Sequence, residues 1–177
     1  MSGHGHDSPT PAAWLVMNRA LLPPAGRALD VACGRGRNAL WLAEQGFETT
    51  ALDRDPAAVA ELEARARRDR LPLTARAVDL EGATVDLGHG RYDVVVVVHY
   101  LHRALFPALI AALAPGGVLV YETFTVAQAA RGRPTNPAFL LEPGELPRLI
   151  APLQIRVARE GDFDGRMVSS VVALRPV

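Results

Sequence analysis

Between residues 27 and 124 the chain alternates short apolar runs with amphipathic stretches, the signature of strands alternating with helices. The first apolar run predicts a strand over 27–32, followed by a helix over 37–45 that Gly46 ends. A second strand is expected over 47–53. Pro56, a favoured first-turn residue, then opens a charged helix over 56–70. "LTARAVDL" predicts a third strand over 73–80. "YDVVVVV" at 92–98 lacks polar alternation, as a central parallel strand covered on both faces would. A helix over about 103–113 follows, and Pro115-Gly116-Gly117 turns the chain into a fifth strand over 118–124.

The flanks read differently. Residues 12–22 are apolar at helical spacing and stop at Pro23-Pro24. Residues 1–11 are polar and rich in Gly, Pro and His, and are expected to be a flexible tail ahead of a single domain over 12–177. His4, His6 and Asp7 on such a tail make a poor metal site, and no metal is expected. Residues 125–139 form a long loop with few apolar anchors, the kind that covers binding sites. "EPGELPRLI" predicts a short helix, and "LQIRVARE" and "MVSSVVALRP" two strands joined through "GDFDGR" as a hairpin. Five strands in βα alternation followed by an antiparallel pair predict an α/β fold with a doubly wound sheet and helices on both faces.

Composition narrows the function classes. At 177 residues the chain buries a real core. Its formal net charge is zero, so no global field draws in nucleic acid or an anionic membrane, and neither is expected as a partner. All 19 cations are arginine, which excludes a lysine nucleophile, a Schiff base and a Walker lysine. One cysteine rules out an internal disulfide and fits a reducing compartment. There is no apolar run of membrane-spanning length and no apolar stretch of a secretory signal, so a cytoplasmic location is expected, as a monomer or homodimer.

The chemistry concentrates in "ALDVACGRGRN", residues 28–38, where a strand runs through a glycine turn into a helix. Gly34-x-Gly36-x-x-Ala39, with Asp53 nineteen residues after Gly34, satisfies a relaxed dinucleotide fingerprint. Other features point away from NAD. Asp30, at the end of the first strand, would repel a pyrophosphate but orient a cationic amino group. Asp79-Leu80 suits an exocyclic adenine amine with an apolar neighbour against the ring. The terminal hairpin is foreign to the simple dinucleotide pattern, and the chain has no room for a separate substrate domain.

"LDVACGRGRN", the distant aspartate, "AVDL", "YDVVVVVHYLH" and "LAPGGVLVYETF" together resemble a class I S-adenosylmethionine (SAM) methyltransferase, over roughly 27–175. The Arg-Asn after the glycine loop, the Val-Asp-Leu strand end and "PGELPRLI" resemble more narrowly the tellurite-resistance, TehB-like methyltransferases. The resemblance implies a Rossmann-like seven-stranded sheet with its last strand inserted antiparallel, SAM as donor and S-adenosylhomocysteine (SAH) as product. Small size and neutral charge point to a small acceptor, with an oxyanion of tellurium or selenium, or a thiol, as the candidates. One departure stands out. The family has glycine two residues after the first aspartate, where this chain has Ala32, a methyl tolerable there only at negative φ.

The resemblance gives each candidate a role beside a plainer one. Gly34 and Gly36 would let the backbone approach the donor, with Cys33 beside them as a small buried hydrophobe rather than a nucleophile. Arg37 would reach the donor's carboxylate, and Asn38 would line the loop or cap the helix. Asp53 would accept from both ribose hydroxyls, or cap the next helix, a role Asp55 fills equally well. Arg54 would flank the adenine or be solvated, and Asp79 would bind the adenine amine or make a turn. Val98 and His99 close the donor side. His99 either moves a proton or only shapes the site, and His102 follows it. Tyr100, Glu122 and Arg133 are the acceptor candidates, Glu122 alternatively pairing with Arg131 or Arg133. Trp14 covers the donor pocket or is core. The rivals are an RNA or protein methyltransferase on the same fold and, further off, an NAD-dependent oxidoreductase or a non-catalytic nucleotide-binding protein.

Overall fold

In the computed structural model, which describes residues 9–82 and 85–177, the elements in chain order are α1 (Ala13–Met17), β1 (Gly26–Val31), α2 (Arg37–Glu44), β2 (Phe47–Asp53), α3 (Pro56–Arg68), β3 (Leu73–Ala77), β4 (Tyr92–Val98), α4 (Phe106–Ala112), β5 (Leu113–Phe124), α5 (Glu145–Leu149), β6 (Gln154–Phe163) and β7 (Arg166–Leu174). They build one seven-stranded sheet in the order β3-β2-β1-β4-β5-β7-β6. β1 to β5 pair in parallel, and β7 runs antiparallel between β5 and β6. This is the mixed doubly wound sheet that the alternation and the resemblance lead one to expect.

The valine run explains the centre. Val95 and Val97 pack with Leu29, Phe106, Leu109 and Tyr121 on one face, while Val94, Val96 and Val98 pack with Trp14, Leu15 and Phe47 on the other. A strand buried on both faces gains from β-branched residues at every position. The strand order changes direction between β1 and β4, and the carboxyl ends of strands at such a switch are where open α/β sheets bind ligands.

Several boundaries differ from the sequence expectation. The 12–22 helix is a five-residue α1 followed by a 3₁₀ turn at Arg19–Leu21, because the Asn18 side chain donates to the Trp14 carbonyl and ends the α-helical run. The 103–113 helix splits into a 3₁₀ turn at Arg103–Leu105 and α4, with Pro107 in the first turn of α4. β3 stops at Ala77, not at residue 80: Asp79 folds its carboxylate back onto the Glu81 amide at 3.1 Å, a turn that leaves the sheet. The 125–139 loop holds two 3₁₀ turns and is bridged at Thr125–Leu141. Of the expected tail, residues 1–8, including His4, His6 and Asp7, lie outside the described residues. Its described end lies on α2, with Ala12 donating to Asn38 at 2.9 Å and Arg37 donating to the Thr10 carbonyl at 3.4 Å.

Candidate functional site

β1, β2 and the turn after β3 are neighbours in the sheet, so Asp30, Asp53 and Asp79 stand along one stretch of its carboxyl rim. Asp30 is buried, and its Oδ2 has no hydrogen-bond partner. Burial raises its pKa to about 7, against the opposing pull of the Ala39 amide and the Arg37 guanidinium. Asp53 accepts from the Gly34 amide at 2.7 Å and from the Asp55 amide at 3.0 Å, so it shapes the glycine loop. Capping of α3 falls to Asp55, which accepts from the Ala57 and Ala58 amides. Asp79 is exposed and Leu80 is buried beside it.

The glycine turn departs from its expected reading at one point. Ala32 sits at φ 55°, so the left-handed backbone that the family meets with glycine is met here by a residue with a side chain. Gly36 adopts φ 80°, and a Cβ there would stand 2.4 Å from Leu62 on α3. The left-handed φ and the close Leu62 side chain both favour glycine there. Gly34, at φ 56°, is the one that hands its amide to Asp53. Cys33 is buried, donates its thiol to the Gly34 carbonyl and is pushed up by burial, which leaves it un-ionised and inert. Asn38 caps nothing: it lies inside α2 and accepts from Ala12.

At the end of β4, Val98 is buried in the core cluster that holds Trp14. Trp14 is core as well, its indole donating to the Val171 carbonyl. His99 takes φ 57°, donates its amide to the Glu122 carbonyl and stacks on Phe124 with centroids 4.6 Å apart. The half-buried Tyr100 is held by Tyr121, whose hydroxyl donates to the Tyr100 carbonyl at 2.6 Å. The Tyr100 hydroxyl is itself buried without a partner. Burial, then Glu81 and Asp79, push its pKa up to about 12.

The acceptor candidates part company. Glu122 is buried and pairs with neither Arg131 nor Arg133: it accepts from Ser170 Oγ at 2.6 Å and Arg159 at 3.1 Å. Arg131 pairs with Asp162 instead, and Arg133 is exposed. The physical reason is reach, because β7 lies between β5 and β6 and brings Ser170 and Arg159 across from Glu122. Sequence reading missed this pair, the Arg103–Glu145 pair described below and Arg166. Arg166 is the strongest charged neighbour of the half-buried Arg37; burial first and then Arg166 lower the Arg37 pKa. A depression of about 580 Å³ lined by Pro107, Ile110, Leu149 and Pro176 lies at the opposite rim, near the start of β5 and the end of β7, and carries none of the candidate residues.

The family model described as tellurite resistance protein TehB matches residues 10–130. The chain belongs to the TehB family. Hemagglutinin 1 of Eikenella corrodens is 37% identical over 95 residues, 51% of this chain and 32% of that protein. The TehB protein of Haemophilus influenzae strain 10810, described as a probable S-adenosyl-L-methionine-dependent methyltransferase, is 26% identical over 95 residues, 54% of this chain and 33% of that one. The chain thus spans about a third of the length of these curated relatives. Among solved structures, an S-adenosylmethionine-dependent methyltransferase from Mesorhizobium loti superposes with TM-score 0.74 at 21% identity, covering 93% of this chain and 98% of that one. The crystal structure of TehB from Haemophilus influenzae superposes with TM-score 0.75 at 18% identity, covering 92% and 61%. The fold of this TehB-family chain is that of class I methyltransferases. Among the described residues no helix is long and apolar enough to cross a membrane, and no His, Cys, Asp or Glu cluster has the make-up of a metal site.

Proposed function

We propose that the chain is a SAM-dependent methyltransferase acting on a small acceptor. The observation that carries this reading is Asp30: a buried carboxylate with an open oxygen, at the end of β1 and beside the glycine turn. An acid left unpaired in low dielectric is costly unless a cation joins it. The ammonium of a methionine moiety supplies that cation, whereas a pyrophosphate would be repelled. The residues therefore fit the donor. When bound, SAM supplies a methyl group on a sulfonium, electrophilic without activation by a nucleophilic residue.

The chain's own residues bind, orient and exclude water. Asp30 pairs with the ammonium. Asp53 fixes Gly34 with one oxygen, and its remaining lone pairs accept from ribose hydroxyls. The first-turn amides of α2 and Arg37 face the carboxylate of the donor. Leu80 and Tyr100 enclose the adenosyl end, with Asp79 at the amine. His99, held by its backbone and by Phe124, lines the reacting end and takes up a proton if the acceptor carries one. In-line displacement draws on alignment and dehydration, which a fixed imidazole and a packed rim supply.

The electrostatics also favour an acceptor class. Around Tyr100 the acids Asp53, Asp79 and Glu81 outnumber Arg54, and the basic end is Arg37 with Arg166 in electrostatic reach of it, offset by Asp30 and Glu122. The acidic end suits the cationic donor, and the basic end suits a small anion such as a tellurium or selenium oxyanion or a thiolate. Incubation with SAM and each of tellurite, selenite and a small thiol, with SAH quantified, tests this. SAH formation with one of them supports the reading; no turnover with any, beside turnover of an RNA or protein substrate, contradicts the small-acceptor part.

A further inference from the structure

Arg103 follows β4 by five residues and spends its whole guanidinium on a segment 35 to 42 residues further on. Nε donates to Glu145 Oε1 at 2.6 Å and Nη2 to Glu145 Oε2 at 2.9 Å, a bidentate fork. Nη1 also donates to the Ala138 carbonyl at 3.1 Å and Nη2 to the Leu140 carbonyl at 2.9 Å. Glu145 in turn accepts from the Glu142 amide at 2.8 Å. The pairing holds the Arg103 pKa up and the Glu145 pKa down. One side chain thus fastens both ends of the 138–145 strap.

The strap forms a wall. A recess of about 260 Å³ lies between Glu81, Leu101 and His102 on one side and Ala138 and Phe139 on the other, with Arg103 along it. Glu81 and Leu101 belong to the surroundings of Tyr100: Glu81 is the strongest charged neighbour of its hydroxyl, and Leu101 follows it in the chain. The recess therefore adjoins the Asp79–Tyr100 part of the carboxyl rim, and Asp30 is not among the residues lining it.

We infer that Arg103 is a positioning residue for the adenosyl end of the donor site: it clamps the 138–145 strap and so fixes the outer wall beside Tyr100. The inference rests on the donor reading above. Leu140 and Leu141 anchor the strap in the core, but Ala138 and Phe139 are exposed, so the Ala138 carbonyl and the Glu145 carboxylate that Arg103 holds flank a stretch that packing fixes only at its middle. A lysine at 103 reaches one partner at a time and cannot reproduce the fork together with two carbonyls.

Three measurements on the full-length protein test it: amide hydrogen exchange over 138–145, and calorimetric affinities for SAH and for adenosine alone. Arg103→Ala is expected to speed exchange of the strap and weaken SAH by about tenfold, with the same factor on adenosine, since the loss falls at that end. Arg103→Lys is expected to be intermediate. If Arg103→Ala fails to fold, Glu145→Gln removes the charge while keeping the shape and is expected to act in the same direction. Unchanged strap exchange overturns the inference, as does a loosened strap with unaltered affinities, or a loss on SAH that adenosine does not share. A wild type that does not bind SAH overturns the donor reading and this inference with it. A wild type and variants that bind SAH equally well overturn this inference alone.

Discussion

Asp53 ends β2 and accepts a 2.7 Å hydrogen bond from the amide of Gly34, nineteen residues earlier and one strand away. The strand pairing makes this possible: β1 and β2 run in register to Val31↔Leu52, and the Cys33 amide continues the ladder to the Leu52 carbonyl. Asp53→Ala frees the Gly34 amide and releases the turn. Urea denaturation is expected to show a loss of about 1–3 kcal/mol. SAH affinity is expected to fall as well, and Asp53→Glu, one methylene too long for the clamp, should not restore it.

Ala32 carries a left-handed backbone at φ 55°. A side chain in that conformation costs roughly 1–2 kcal/mol, part of which the extra chain entropy of glycine offsets. Ala32→Gly is therefore expected to stabilise the protein by about 0.5–1 kcal/mol in chemical denaturation. A clear destabilisation would show that the methyl packs well enough to outweigh the strain.

Asp30 gives the protein a pH dependence whose sign follows from its environment. Its folded pKa, about 7, lies above the ordinary 3.8. Between those values the folded state holds a proton that the unfolded state has released, so stability falls as pH rises through this window. The full effect is at most about 4 kcal/mol. Asp30→Asn is expected to be more stable than wild type at pH 8, with the gap closing towards pH 4. Donor binding runs the other way: it uses the ionised acid, so SAH is expected to bind more weakly at pH 6 than at pH 8, with proton release on binding seen as buffer-dependent heat.

Arg159 lies between the rings of Trp14 and Phe163, 4.5 and 3.9 Å from their centroids, while it pairs with the buried Glu122. Arg159→Ala leaves Glu122 with Ser170 alone and strips the stacking that fastens α1 to β6. Since the arginine keeps some contact with solvent, a loss of about 2–3 kcal/mol is expected from thermal or urea unfolding, at the low end for a broken buried pair. Arg159→Ala combined with Glu122→Gln should recover part of it, the residue being the stacking contribution.

What the sequence made legible was local or periodic. The unbroken valines of β4 announce a strand buried on both faces, and the alternating order announces the parallel sheet, but Pro115-Gly116-Gly117, expected as the turn ahead of the fifth strand, lies inside β5, which already starts at Leu113. Misreadings arose where a side chain outvoted the pattern. The apolar alternation of "LTARAVDL" runs past Ala77, but Asp79 bends the backbone out of the sheet by accepting from Glu81. Asn38 reads as a helix cap, yet its partner Ala12 arrives from 26 residues upstream. Glu122 and Arg159 are 37 residues apart, and only the insertion of β7 between β5 and β6 brings them together. Partners of this kind depend on tertiary register, which neither spacing nor composition encodes.

The central claim is that a buried carboxylate at the end of β1 awaits the ammonium of a sulfonium-bearing nucleoside. Isothermal titration of SAH into the wild type and the Asp30→Asn variant at pH 8 tests it most directly. The account predicts saturable binding by the wild type and a loss of at least about thirtyfold in the variant, as expected when one partner of a buried charge pair is removed. No heat from the wild type at millimolar SAH, or equal affinity in the two proteins, would contradict it.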